Sequence, residues 1–266
     1  KLALDNVESN ARTNDRFVLI CPALESTNSI AFDKSGEVIH DDDGSLITRP
    51  AGHGTLISNL NNVDADLVLI RNIDNVHHQD HADKSAKSRK MLAGVLLEFQ
   101  SKMFSILKAI DTNLPYINEL RDLNQIYDLR LPEELLHQPE EVKAVLNRPT
   151  RICGMVRNEG QPGGGPFWVA NKQGNPTRQI VEKSQISSKS SQLTLLIKST
   201  NFNPVEIICA PKNYKGEKFN LNEFKDDTQY FIVHKMHKGK PVQFIEEPGL
   251  WNGGMANWNT LFYEIG

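Results

Sequence analysis

The segment 49–75, R-P-A-G-H-G-T-L-I-S-N-L-N-N-V-D-A-D-L-V-L-I-R-N-I-D-N, restricts the possible fold more than any other stretch of this chain. It reads as a loop, a helix, a strand and a polar tip. Gly52 and Gly54 flank His53 behind Arg49 and Pro50. Glycines there let a backbone come close to a ligand, because no Cβ stands in the way. Leu56, Ile57 and Leu60 recur at helical spacing, so the loop feeds a short helix. The run D-L-V-L-I at 66–70 is continuously apolar after its first residue, the pattern of a central parallel strand. It empties into Asn72, Ile73, Asp74 and Asn75. In open α/β sheets ligands bind beyond the carboxyl ends of the strands. A carboxylate at Asp74 beside a glycine loop suits a metal-bridged phosphate compound. The alternative is a surface turn with a solvated aspartate.

With 266 residues the chain can bury a large core in one or two domains. Its net charge of −3 leaves no basic footprint for nucleic acid. No apolar run is long enough for a bilayer, and no signal-peptide pattern opens the chain. Cys21, Cys153 and Cys209 are widely spaced in apolar, strand-like surroundings. They read as reduced core thiols of a cytoplasmic protein. Since the chain starts at Lys1 and enters a strand almost at once, the expectation is the C-terminal part of a longer gene product.

Residues 17–21 read as a short buried strand. Strand-like pieces then alternate with the turns at 33–36 and 41–44. The acidic triplet Asp41, Asp42 and Asp43 reads as a solvated hairpin tip, with cation binding as the other reading. His77, His78 and His81 offer metal-ligating spacing, against a chance cluster of histidines in a polar loop. Over 85–111, Met91, Leu92, Val95, Leu96, Phe99, Met103, Leu107 and Ile110 recur every three or four residues, marking a long amphipathic helix. Helical patterns continue over 116–131 and 140–146, broken by Pro132 and Pro139. This block is expected to insert between two sheet-forming parts. The organisation is therefore 1–84 with the glycine loop and the N-I-D-N strand end, 85–149 as helical insertion and 150–266 as strands, hairpins and a C-terminal segment.

The second half restarts with a strand at 151–156. The glycine-rich loop 158–166 follows without the Lys-Ser/Thr and helix of a P-loop, so it reads as a turned loop beside the site. Hairpins are expected around 173–175 and around Lys238 and Gly239, with a buried strand at 205–209. Weak alternation over 193–198 suggests another strand. The aromatic and amide-rich tail 251–264 is expected to pack back on the fold.

The motifs S-T-N-S-I-A-F, R-P-A-G-H-G-T-L-I-S-N-L-N, N-E-G-Q-P-G-G-G-P-F-W-V and P-G-L-W-N-G-G-M-A-N-W-N-T resemble the bacterial domain of unknown function 4301 family, along nearly the whole chain. More distantly the chain is similar to UDP-N-acetylhexosamine pyrophosphorylases. Their P-x-G-N-G-G loop, V-D-N strand end, G-x-V strand, V-E-Y-S-E, N-H and N-G-I-K motifs recur in order. Here they read P-A-G-H-G-T, N-I-D-N, Gly154-Met-Val156, Val181-Glu-Lys-Ser-Gln-Ile186, Asn201-Phe-Asn203 and Asn252-Gly-Gly-Met255. The resemblance implies a mixed α/β, glycosyltransferase-A-like nucleotidyltransferase core lacking its N-terminal part, with 1–84 as the C-terminal part of the nucleotide-binding core and 150–266 as the sugar-binding part. It implies uridylyl transfer to a sugar 1-phosphate with release of pyrophosphate, and Mg²⁺ held by a catalytic Asp74. Gly52, His53 and Gly54 would meet the nucleotide or sugar, and Gly154 would let the sugar lie against its strand. Glu182 and Asn203 would bind sugar hydroxyls or the acetamide, with Asn252 in the closing motif. The implied partners are nucleotide and sugar-phosphate small molecules and the missing N-terminal segment.

Two departures stand against full activity. Met255 occupies the place of a lysine, which leaves one phosphate charge to be supplied from Lys235, Lys238 or Lys240. The G-x-G-T-x-M…P-K loop of those enzymes is nowhere in the chain, so catalysis by this chain alone is not expected. The rival readings are a sugar-nucleotide-binding module without turnover, and a metal-dependent hydrolase using Asp74 with His77, His78 and His81.

Overall fold

The computed structural model describes residues 21–23, 25–72, 82–160, 164–171, 174–187 and 189–265. Asp74 and the His77, His78 and His81 cluster lie outside the described residues, as do 17–20 of the first expected strand.

Strand β1 (Ser29–Phe32) pairs antiparallel with β2 (Thr48–Arg49). The two turns between them place Gly36 at φ 89° and Gly44 at φ 82°, a backbone that side chains resist. Helix α1 (Leu56–Asn61) buries Ile57 and Leu60 as the spacing requires. The apolar run at 66–70 forms only a short strand, β3 (Val68–Ile70), which runs antiparallel to its neighbour at the edge of a sheet. The expectation of a central parallel strand is corrected. A strand this short, with Leu69 47% exposed, has one packed face and cannot fill the middle of a sheet.

The long amphipathic pattern forms α2 (Ala82–Asp111), followed by α3 (Ile117–Ile126), α4 (Glu133–Leu136) and α5 (Pro139–Leu146). Pro139 opens α5 at its first turn, where its missing N–H costs no hydrogen bond. The central strand is β4 (Thr150–Arg157), buried at its first six positions. Next come the hairpin of β5 (Gly165–Ala170) and β6 (Pro176–Val181), helix α6 (Ser190–Lys198), β7 (Asn201–Phe202) and β8 (Ile207–Ala210). The 193–198 segment is therefore helical rather than a strand. With Leu195 60% and Ile197 83% exposed, no buried face imposed a two-residue period on it. The chain closes with the hairpin of β9 (Phe231–His237) and β10 (Lys240–Glu246), then β11 (Asn259–Glu264).

Two larger sheets result. One orders β2, β1, β10 and β9; the other orders β11, β4, β8 and β3, with β7 also on β4. The tail supplies a strand parallel to β4, with Leu261 opposite Ile152. Alternation along β4 sends Ile152 to the helical side, where it packs with Leu92, Leu96, Phe99, Met103 and Leu107 of α2. Leu120, Leu123, Leu136, Val142 and Leu146 extend that cluster, so the helical block shares one core with the sheet. Each such side chain contributes about 1.5–3 kcal/mol on burial. Cys153 and Met155 face the other way, onto Ile57, Leu60, Leu250, Met255 and Trp258. Cys153 and Cys209 are core thiols, whereas Cys21 is exposed, which corrects the expectation of three buried ones.

Candidate functional site

The glycine loop folds into a 3-10 turn, His53–Thr55, that leads directly into α1. A Cβ on Gly52 would strike the Glu246 carboxylate, and one on Gly54 would strike the Pro248 carbonyl, with Glu247 O at 2.8 Å. The close approach these glycines allow is to the chain's own segment 246–248. That contact lays the loop against the turn that follows β10 and aims His53 at it.

His53 stacks flat on Trp251, with ring centroids 4.1 Å apart and planes 7° from parallel. Its Nδ1 accepts the Leu250 N–H at 2.9 Å. An N–H can only donate, so the neutral ring carries its own proton on Nε2. Burial holds the His53 pKa below 6.5. The Nε2–H lies 4.0 Å from Glu182 Oε1, too far for a direct hydrogen bond. His53 and Glu182 side chains are 33% and 32% exposed, so solvent reaches the gap between them.

Glu182 follows β6 and caps the 3-10 turn Lys183–Gln185, in a reciprocal box with Gln185. The same Oε1 accepts from Asn252 Nδ2 at 3.2 Å, and Gln185 Oε1 is 3.4 Å from that nitrogen. Asn252 is fully buried, and its Oδ1 accepts the Gly253 N–H. Burial raises the Glu182 pKa, while the Asn252 hydrogen bond opposes the shift. Gly52, His53, Gly54, Glu182 and Asn252 therefore meet in one cluster. Its accessible groups are a donor, His53 Nε2–H, and a facing acceptor, the Glu182 carboxylate.

Gly154 and Asn203 sit together beside it. Asn203 is buried, donates to Gly154 O at 2.7 Å and accepts the Val205 N–H at 3.1 Å. These bonds hold Val205 at φ 59°, a conformation costly for a β-branched residue. A Cβ on Gly154 would meet Ile265 Cδ1 at 2.9 Å and Leu92 Cδ1 at 3.3 Å, so the space beside it is filled by core. Gly164 connects the two groups: its carbonyl accepts the Asn203 N–H, and its missing Cβ faces Ile180 and the Glu182 Cγ.

Met255, at the place of the resembled lysine, is fully buried. Its sulfur lies 3.4 Å from Nη1 of Arg151, a guanidinium with no solvent exposure that donates to Thr260 Oγ1 and Trp251 O. A cation is thus present at this turn but closed inside the core. Lys238 sits instead at the β9–β10 tip, paired with Asp41 and Asp42, so the acidic triplet holds a lysine there. Lys235 and Lys240 lie on the two strands of the same hairpin, opposite Val242 and His237 respectively. Among the described residues no group of three or more His, Cys, Asp or Glu side chains could hold a metal ion. The expected Mg²⁺ ligand, Asp74, lies outside them.

Residues 13–266 match the family described as domain of unknown function (DUF4301). The chain belongs to the DUF4301 family. A comparison with curated proteins finds no match. Among solved structures, the uridine diphosphate N-acetylglucosamine pyrophosphorylase from Trypanosoma brucei, in complex with an inhibitor, is similar at 10% identity and a TM-score of 0.35. That similarity covers 89% of the DUF4301 chain and 40% of the pyrophosphorylase, so the chain spans well under half of that protein's length. No described helix of this DUF4301 protein is long and apolar enough to cross a membrane.

Three participants escaped the reading of the sequence. Gln185 had a usable signal, the E-x-x-Q spacing of a capping box from Glu182. Trp251 was visible only as a neighbour of Asn252, since stacking on His53 needs the fold. Arg151 stood as a lone charge in an apolar strand, with nothing local to say that it is buried.

Proposed function

We propose that this DUF4301 chain binds the sugar of a nucleotide sugar between His53 and Glu182. The single observation that carries the reading is the 4.0 Å opening between a fixed Nε2–H donor and a carboxylate acceptor. A sugar hydroxyl is both acceptor and donor, so it can accept a hydrogen bond from the imidazole N–H and donate one to Glu182. Trp251 stiffens the imidazole, Asn252 donates to the carboxylate, and Gln185 Oε1 holds the Glu182 backbone N–H.

In the larger reaction, a glycosyltransferase-A-like core would join a sugar 1-phosphate to a uridylyl group. The sugar-phosphate oxygen attacks the α-phosphorus of UTP, and the bond to pyrophosphate breaks. The role of this chain is sugar recognition. Asp74 and Mg²⁺, which would supply charge at the phosphates, enter on the motif resemblance alone. A second reading, binding without turnover, is favoured by the burial of Met255 and Arg151, which withholds a cation from the site. The metal-dependent hydrolase rests on residues outside the described structure and gains no support from the described ones.

Pyrophosphate release from UTP and N-acetylglucosamine 1-phosphate with Mg²⁺, measured on the full gene product beside UDP-N-acetylglucosamine binding, separates these outcomes. Binding with release supports transfer, and binding without release supports the module. The absence of both binding and release would overturn the proposal.

A further inference from the structure

A second cavity, of about 210 Å³, opens between the helical block and the β5–β6 hairpin. Its walls come from the turn after α3, the end of α5, the hairpin and the start of β11. Three guanidinium groups line it, Arg130, Arg148 and Arg178, and no aspartate or glutamate is among its lining residues.

The three arginines are held differently. Arg178 donates from Nη2 to the carbonyls of Tyr127 and Asp128, both at 2.6 Å. The turn that offers those carbonyls places Asp128 at φ 47° and Arg130 at φ 59°. Arg130 and Arg178 both lie over the Trp168 indole, at 3.9 and 5.0 Å from its centroid. Asp128, 62% exposed, touches each of them at 3.4 Å. Arg148 donates through Nε to Ala144 O at 2.7 Å and has no ion-pair partner among the described residues. Burial lowers the pKa of Arg148. One carboxylate at the rim thus faces three cations, two of them beside each other.

We propose that this cavity is a binding site for a small oxyanion, the phosphate or carboxylate group of a metabolite. Guanidinium forks match the planar or tetrahedral oxygens of such groups in paired hydrogen bonds. Asn171 and Asn175 at the hairpin end add polar groups to the rim. The volume lies below the roughly 300–1,000 Å³ of sites for drug-sized ligands, so the occupant is smaller than a nucleotide sugar. The site is separate from the His53–Glu182 opening: β6 carries Arg178 here, and Glu182 comes four residues later, just past the end of the strand and roughly 13 Å along the extended chain.

Trp168 gives the test a local reporter. Inorganic phosphate and citrate are titrated separately into the chain at constant ionic strength, with sodium chloride as control. Tryptophan emission is followed, and Trp168→Phe assigns the signal. Saturable binding of either anion is expected, weakened at least tenfold in both Arg148→Gln and Arg130→Gln. Phosphate alone would identify a phosphorylated ligand, and citrate alone a carboxylated one. Arg130 is half-exposed, so its variant keeps the test valid if Arg148→Gln fails to fold. A response matched by chloride, no saturable binding of either anion, or unchanged affinity in the folded variants would overturn the proposal.

Discussion

Replacing Gly54 by alanine asks whether the glycine loop is built to meet the chain itself. The added methyl would run into three backbone atoms, Pro248 O, Glu247 O and Pro248 C, the last at 2.9 Å. Backbone cannot swing aside as a side-chain end can, so the 3-10 turn or the 247–248 segment must move. Overpacking of this kind costs about 1–3 kcal/mol, and collision with backbone belongs at the upper end, about 3 kcal/mol. At about 2.1 cal/mol/K per residue, a chain of 266 residues has an unfolding entropy of roughly 0.56 kcal/mol/K. The melting temperature should therefore drop by about 5 °C. The matched control is Gly94→Ala. Gly94 is exposed within α2, and nothing lies within 4 Å of its missing Cβ. Helix propensity predicts a gain there of about 0.8–1 kcal/mol. Thermal unfolding followed by circular dichroism reads both. A Gly54→Ala protein that melts within 1 °C of wild type would refute the packing argument.

Thiol chemistry should divide the three cysteines. Exposed Cys21 reacts with a disulfide reagent in the native protein, while Cys153, pushed up to about 11 by burial, and the equally buried Cys209 react only on unfolding. Acid should weaken the site through His53. Its folded-state pKa lies below 6.5, so the unfolded chain binds more protons in the window between the two values. Stability then rises with pH through that window and falls on acidification, and urea midpoints across pH 5–7 should show this component vanish in His53→Gln. Asn203→Ala removes both bonds that fix Gly154 O and Val205 N, so it should cost about 2–4 kcal/mol by urea unfolding.

The readability of this fold followed the strength of local pattern. The stripe of α2, the glycine-marked hairpins and the start of α1 were legible because spacing and turn chemistry act over a few residues. The 66–70 run misled because a short apolar segment looks the same at the edge of a sheet as in its centre. The tail strand β11 gained its place from pairing with β4, more than a hundred residues away, which no local signal encodes. At the site, motif order picked out His53, Glu182 and Asn252, which the structure brings together. It could not reveal that the space beside Gly154 is filled by Ile265 and Leu92, since that depends on tertiary packing.

The central claim, that a sugar hydroxyl bridges His53 and Glu182, is tested most directly by a calorimetric comparison of two ligands. UDP-N-acetylglucosamine and UDP are titrated, with and without Mg²⁺, into the wild-type chain and into Glu182→Ala. The account predicts that the sugar adds affinity in the wild type. The substitution should remove about 1–3 kcal/mol of that increment and leave UDP itself unchanged. An equal loss for both ligands, or an intact sugar increment in Glu182→Ala, would contradict it.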